Sequence, residues 1–185
     1  MNSRALIIID IQNDYFDGGK NPLVGSKEAA LKANSVLEKF RADKELVIHI
    51  RHISTRPGST FFVPGTVGSE IYKDVFPLPE ERVIEKNFPN SFRETELKDF
   101  LEYHKINTLV ICGMMTHMCV DTTVRAAADF GYRCTLISDA CATKDLSFEG
   151  KIVKADDVNT SFLAALNGLF AKVISAGIFL KETGS

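Results

Sequence analysis

Residues 108–139 read TLVICGMMTHMCVDTTVRAAADFGYRCTLISD. The stretch opens with an apolar, β-branched run from Thr108 to Met114, short enough to be a single strand. A brief loop, MTHM, leads into a helix-forming segment over 119–130, and Gly131 stands where a left-handed residue ends a helix. A second apolar run follows from Arg133 to Asp139. Strand, helix, strand, with both strands almost continuously hydrophobic, is the pattern of a βαβ unit whose sheet is covered on both faces, and such sheets are parallel.

Working outward, Ala5 to Asp10, Leu46 to His52, Arg82 to Lys86 and Lys172 to Ala176 have the same character. Helical periodicity at 26–42, 95–104 and 157–171 separates them. Ser26 is a candidate cap for the first helix, Ser91 and Glu94 have capping-box spacing, and Thr95 can cap the helix that follows. The alternation predicts an α/β fold around a parallel sheet. It breaks at 53–81, where Pro57, Gly58, Pro64, Gly65, Gly68, Pro77 and Pro79 admit no regular helix. So long a loop is either functional, with Phe61 and Phe62 closing over a site, or a structural excursion on the sheet edge. No repeat, low-complexity tract or linker divides the chain, so residues 1–185 read as one domain.

With 45% apolar and 25% charged residues, the composition is that of a folded globular chain and excludes disorder as the main state. Lys and Arg number 22 against 24 Asp and Glu, a net charge of −2, which gives no general attraction to nucleic acid or to an anionic membrane. The four cysteines form no CxxC pair and read as thiols, and Cys112, Cys134 and Cys141 look like core filler. Only Ala5 to Ile9 are apolar before Asp10 interrupts, too short for a signal segment or a membrane span, so a cytoplasmic location is the expectation.

In parallel α/β sheets ligands bind beyond the carboxyl ends of the strands. Polar residues ending apolar strands are therefore the ones that need a reason. Asp10 ends IIID, Lys86 ends RVIEK, and Cys119 follows LVICGM at the start of a helix. A carboxylate at the end of a buried strand requires a partner, and Lys86 would supply it. A thiol at a helix N-terminus meets free amides and the positive end of the helix dipole, which favour thiolate. Together the three types make a nucleophile (Cys119), a general base (Asp10) and an electrostatic stabiliser (Lys86). The alternative leaves Cys119 a small buried residue, Asp10 a turn residue and Lys86 solvated, and spacing alone does not choose.

The segments IIIDIQNDY, VIEKNFPNSF and GMMTHMCVDTTVRAAADFGY, followed by LISDACAT, resemble the isochorismatase-like cysteine hydrolases in order and distance, from residue 5 to about 174. The resemblance implies a three-layer α/β/α sandwich with a six-stranded parallel sheet. It implies catalytic roles for Asp10, Lys86 and Cys119, a cis peptide between Met114 and Met115, and an oxyanion hole made by the Met115 and Cys119 amides. Members that keep the cysteine hydrolyse amides, whereas vinyl-ether-cleaving isochorismatases typically lack it, so Cys119 points to C–N bond hydrolysis through a thioester, with an amide, carbamoyl or ureido substrate. Vinyl-ether hydrolysis and a non-catalytic binding module on the same fold remain as alternatives. Nicotinamidases of the family carry a metal site starting with Asp-x-His after the second strand. Here HIRHIST places Arg51 at the Asp position, and His49 and His52, three apart on a strand, point to opposite faces. No metal or other cofactor is therefore expected, and no nicotinamidase activity. The family also implies a homo-oligomer, a dimer or tetramer.

Other residues carry weaker signals. His52 at its strand's end is either a pocket residue or an ordinary histidine. Gln12 and Asn13 follow the base, where one can bind Asp10 or substrate or serve the turn. Phe16, Phe61, Phe62, Phe88 and Phe92 are candidate walls of an apolar pocket, the alternative being core. The spacing C-x5-R from Cys119 to Arg125 matches cysteine phosphatases, but the intervening VDTTV lacks the glycines of a phosphate cradle and contains Asp121. No GxGxxG follows the first strand, which disfavours a dinucleotide site. Ala126 to Ala128 permit close helix packing, and the terminal KETGS is expected to fray.

Overall fold

The computed structural model describes residues 3–183. Six strands form one parallel sheet: β1 (Arg4–Ile9), β2 (Leu46–His52), β3 (Arg82–Lys86), β4 (Thr108–Met114), β5 (Arg133–Ala142) and, after a short hairpin, β8 (Lys172–Ile174). Their order is β3-β2-β1-β4-β5-β8. Along β1 successive side chains go to opposite faces: Leu6 and Ile8 join one core with Val36, Leu37 and Phe40 of α1 (Ser26–Ala42), while Ala5, Ile7 and Ile9 join another. That second core contains Leu97 and Leu101 of α2 (Leu97–Tyr103), Val124 and Ala127 of α3 (Asp121–Asp129) and Leu166 of α4 (Ala155–Leu166). The three layers are the α/β/α sandwich expected, and every strand of the sheet begins where the apolar runs begin.

The chain leaves β1 to one side through β2 and β3, then returns to β4 on the other side of β1. The β1–β4 boundary is thus the switch point of the sheet, where a crevice opens at the strand ends. Gly113 makes this junction possible. Its φ is +137°, and a Cβ there would lie 2.1 Å from the Ile9 carbonyl oxygen, so only glycine lets β4 run this close to β1.

Several local expectations are corrected. Gly25, not Ser26, precedes α1 with φ +71°, and Ser26 is the first helical residue without a capping bond. The helix expected over 157–171 is α4 and stops at Leu166, because Asn167 and Gly168 turn the chain. Thr95 does act near the start of α2, its Oγ accepting the Leu97 amide at 3.3 Å. Residues 146–153 form a hairpin, β6 (Leu146–Phe148) and β7 (Lys151–Val153), around Glu149 and Gly150, both at positive φ. The strand expected to reach Ala176 ends at Ile174, since the Ala176 amide bonds to Asp139 (2.7 Å) and opens α5 (Ala176–Thr183). Lys181, Glu182 and Thr183 are therefore helical rather than frayed; Gly184 and Ser185 lie outside the described residues. Among the described residues no helix is long and apolar enough to cross a membrane.

The 53–81 segment contains only two single turns of 3-10 helix, Val67–Ser69 and Lys73–Val75. Glu81 fastens its end: the carboxylate accepts from Arg41 of α1 at 2.8 Å, from the Leu78 amide at 2.8 Å and meets His49 Nε2 of β2 at 3.0 Å. Burial works to raise this carboxyl, but the Arg41, His49 and Leu78 hydrogen bonds outweigh it and hold it far below the ordinary 4.5. A depressed carboxyl stabilises the fold above its unfolded value and loses that contribution as pH falls. Glu81→Gln should therefore lower stability at pH 7 by about 1.5–3 kcal/mol in urea unfolding. The loss should shrink below pH 4; an unchanged urea midpoint at pH 7 would contradict this account of the clamp.

Candidate active site

Asp10 follows β1 directly, with φ +51°, a sparsely populated conformation that turns its side chain into the crevice rather than along the strand. Lys86 ends β3, in register with His52 at the end of β2. Its long stem passes over β2, and its ammonium meets Asp10 Oδ2 at 2.7 Å, with both side chains at 0% exposure. The other two donors go to the Phe88 carbonyl and to His52 Nδ1, each at 3.1 Å. An ammonium has no lone pair, so Nδ1 is the acceptor and the His52 proton sits on Nε2. Burial lowers the His52 pKa below 6.5, and the ring is neutral at pH 7. For Lys86, burial alone would lower the pKa, but Asp10 and Cys119 outweigh it and the group is held charged above its usual 10.5.

Cys119 enters from the other side of the switch point. The Met114–Met115 peptide is cis, and Thr116–Val120 form one wide π-helical turn, with Val120 N bonded to the Met115 carbonyl at 3.2 Å, before α3 begins. The thiol thus lies inside that turn rather than at the first residue of an α-helix. A carboxylate oxygen of Asp10, a ring nitrogen of His52 and Cys119 Sγ all lie within 4.8 Å of one another. Asp10 Oδ1 is buried and has no hydrogen-bond partner. The favouring of thiolate expected from a helix end is outweighed: burial, and then the Asp10 charge, push the Cys119 pKa well up, against the opposing pull of Lys86. The group is a thiol that ionises only when its proton is taken. Asp10, His52 and Cys119 also bring three metal-ligating atom types together, but the Lys86 ammonium already stands among them, bonded to Asp10 and His52. A second cation has no favourable place there.

A cavity of 280 Å³ opens onto Cys119. Phe61, Phe62 and His52 line it, and so do Tyr15, Met115 and Met118. The 53–81 loop therefore supplies one wall. Asp14 fixes that wall: its Oδ2 accepts the Phe62 amide at 2.6 Å. Asp14 and Tyr15 escaped the sequence reading; their signal was only proximity to Asp10.

Five residues proposed for the pocket or substrate lie elsewhere. Gln12 is fully buried, and its amide is consumed by backbone: Nε2 donates to His52 O (2.9 Å) and Ser69 O (2.8 Å), and Oε1 accepts His52 N (2.7 Å). It positions the loop and does not touch the cavity. Asn13 likewise serves the loop, donating to the Val67 carbonyl. Phe16 stacks on Tyr72, ring centres 3.5 Å apart, beside a different surface depression. Phe92 packs against Phe130 and Tyr132 over the α3 side of the sheet. Phe88 offers its carbonyl to Lys86 while its ring carries the Arg93 guanidinium. His49 and His52 diverge, His49 turning to Glu81, and Arg51 pairs with Glu85. Arg125 pairs with Asp121 on α3, so the C-x5-R residues make no anion cradle.

A family model described as the isochorismatase domain matches residues 4–176. An uncharacterized isochorismatase family protein of Bacillus subtilis, YddQ, is 48% identical over 96% of this chain and 98% of its own length. A streptothricin hydrolase of Streptomyces noursei is 33% identical over 77% of this chain and 56% of its own. Among solved structures, an isochorismatase from Pseudomonas putida superimposes with a TM-score of 0.90 at 37% identity, covering 96% of this chain and 90% of that one.

Because the Lys86 charge lowers the Cys119 pKa, Lys86→Met should slow alkylation of Cys119 by iodoacetamide at pH 8. Peptide mass mapping separates Cys119 from the three other cysteines, which are all buried. Unchanged or faster alkylation in Lys86→Met, with the protein folded by circular dichroism, would contradict the electrostatics described.

Proposed function

The chain belongs to the isochorismatase family of hydrolases, and from that premise we propose that it cleaves a C–N bond of a small molecule, an amide, carbamoyl or ureido group, through a thioester on Cys119. One observation carries the reading: Asp10 gives one carboxylate oxygen to Lys86, its other oxygen is buried without a hydrogen-bond partner, and the carboxylate lies within 4.8 Å of the Cys119 sulfur. An unpartnered buried acceptor is costly unless it is used, and here a proton is within reach. The family's streptothricin hydrolase supports a hydrolytic role for the fold.

In the proposed cycle Asp10 takes the thiol proton as sulfur attacks the carbonyl carbon. The carbonyl π pair moves to oxygen, which the Met115 and Cys119 amides and the Lys86 charge stabilise. The carbonyl re-forms, the C–N bond breaks, and Asp10 returns the proton to the departing nitrogen, leaving a thioester and ammonia or an amine. Asp10 then deprotonates water, which adds to the thioester. Collapse releases the acid, and the thiol regains its proton. The protein's own groups suffice for every step, so the reading uses no metal or cofactor. The reading includes a homo-oligomer, supported by Phe148 and Ile152, large apolar side chains exposed on the β6–β7 hairpin.

Ammonia release from a panel of primary amides, carbamoyl compounds and ureido acids tests the proposal. Wild type should turn over at least one of them, and Cys119→Ala should lose about 10³-fold or more in kcat. Silence of wild type across the panel, with isochorismate cleaved equally by both proteins, would replace this reading with vinyl-ether hydrolysis.

A further inference from the structure

The charges around the catalytic cavity do not balance. Asp10 and Lys86 neutralise each other, His52 is neutral, and no aspartate or glutamate lines the cavity. Arg56 does line it, on the same loop as Phe61 and Phe62. Its guanidinium makes no ion pair among the described residues, whereas Arg4, Arg41, Arg51, Arg82, Arg93 and Arg125 are each paired with an acid. The positive charge is near enough to His52 to help lower that residue's pKa.

The backbone that carries the exposed Arg56 side chain is also held in place. Residues 56–59, RPGS, form a tight turn in which Ser59 N donates to the Arg56 carbonyl at 3.2 Å, with Gly58 at φ +80°, the type II geometry that Pro-Gly favours. Ser54 N bonds to the Phe62 carbonyl at 2.9 Å, and the Ser54 and Ser59 hydroxyls bond to each other, closing the loop across its base. The same loop is anchored through Phe62 to Asp14. An unpaired arginine that rises from a braced turn at the edge of a cavity with no acid can receive an anion bidentately.

We propose that the substrate carries a carboxylate that Arg56 binds at the cavity rim while its scissile carbonyl lies at Cys119. The proposal rests on the hydrolase reading above and names its substrate class: small amides or ureides of acids, in preference to neutral or cationic amides. The cavity's 280 Å³ suits a molecule of that size. Arg56 acts here as a specificity residue.

Two measurements separate this proposal from the reading beneath it. The first uses no turnover: alkylation of Cys119 by iodoacetate and by iodoacetamide, in each of which sulfur displaces iodide from the same CH2 group, followed by peptide mass mapping. The rate ratio of iodoacetate to iodoacetamide should fall by about 10-fold in Arg56→Gln and further in Arg56→Glu, and should fall in wild type as salt rises. A ratio that is the same in wild type and both variants overturns the proposal. The second measures ammonia release from succinamate and butyramide, which share a reacting amide and differ in charge. Wild type should favour succinamate in kcat/KM by about 10- to 100-fold, and Arg56→Gln should bring the two close together. A shifted alkylation ratio without turnover of any amide would support the anion site and remove the amidase reading; turnover with an unshifted alkylation ratio would do the reverse.

Discussion

A carboxylate and an ammonium at 0% exposure, 2.7 Å apart, sit at the ends of two strands that are not neighbours in the sheet. Removing either partner would strand the other in a medium that solvates it poorly, a penalty of about 3–5 kcal/mol. The pair therefore ties the end of β1 to the end of β3 across β2, and the crevice at the switch point inherits its shape from that tie. Lys86 is fully used, by Asp10, His52 and Phe88. Asp10 is half used, with Oδ1 buried and unpartnered in a site that also holds the Cys119 thiol. Sheet, loop and π-helical turn all serve to hold this asymmetry in place.

The 53–81 loop depends on the same region through backbone rather than side-chain chemistry. Gln12, two residues after Asp10, is bonded to both His52 and Ser69, so the path of β2 and the middle of the loop are both referred to the end of β1. Asp14 then places Phe62, and Glu81 closes the loop onto α1 and β2. A change in the loop reaches the cavity because these three buried polar groups leave it little freedom to relax elsewhere. Specificity can accordingly differ between relatives while the strand-end groups stay put, since the cavity walls and the reacting groups come from different segments.

The fold was readable because a sheet covered on both faces demands long apolar runs, and six of them stand between helical segments. Asp10, Lys86 and Cys119 each stood out as the wrong kind of residue for the end of a buried strand or the turn after one, but position left their convergence open and the family resemblance joined them. Direction was not readable. Gln12, Phe16 and Phe92 have suitable chemistry and sit close in sequence to the site, yet hydrogen bonding and ring stacking turn them elsewhere. The balance of effects on Cys119 was not readable, because burial and the Asp10 charge, which outweigh a helix end, depend on tertiary packing. The β6–β7 hairpin was missed because each strand has only three residues, and α5 because a side-chain bond from Asp139 to the Ala176 amide ends β8 early.

The central claim is that the Cys119 sulfur carries the acyl group during turnover. Adding hydroxylamine to the enzyme while it hydrolyses an accepted amide tests this most directly, because a thioester is intercepted to give a hydroxamate. The account predicts that hydroxamate replaces acid in proportion to hydroxylamine while ammonia release is unaffected or accelerated, and that no hydroxamate forms with Cys119→Ala. Acid formed at an unchanged rate with no hydroxamate at any hydroxylamine concentration would mean that water attacks the substrate directly, and would contradict the account.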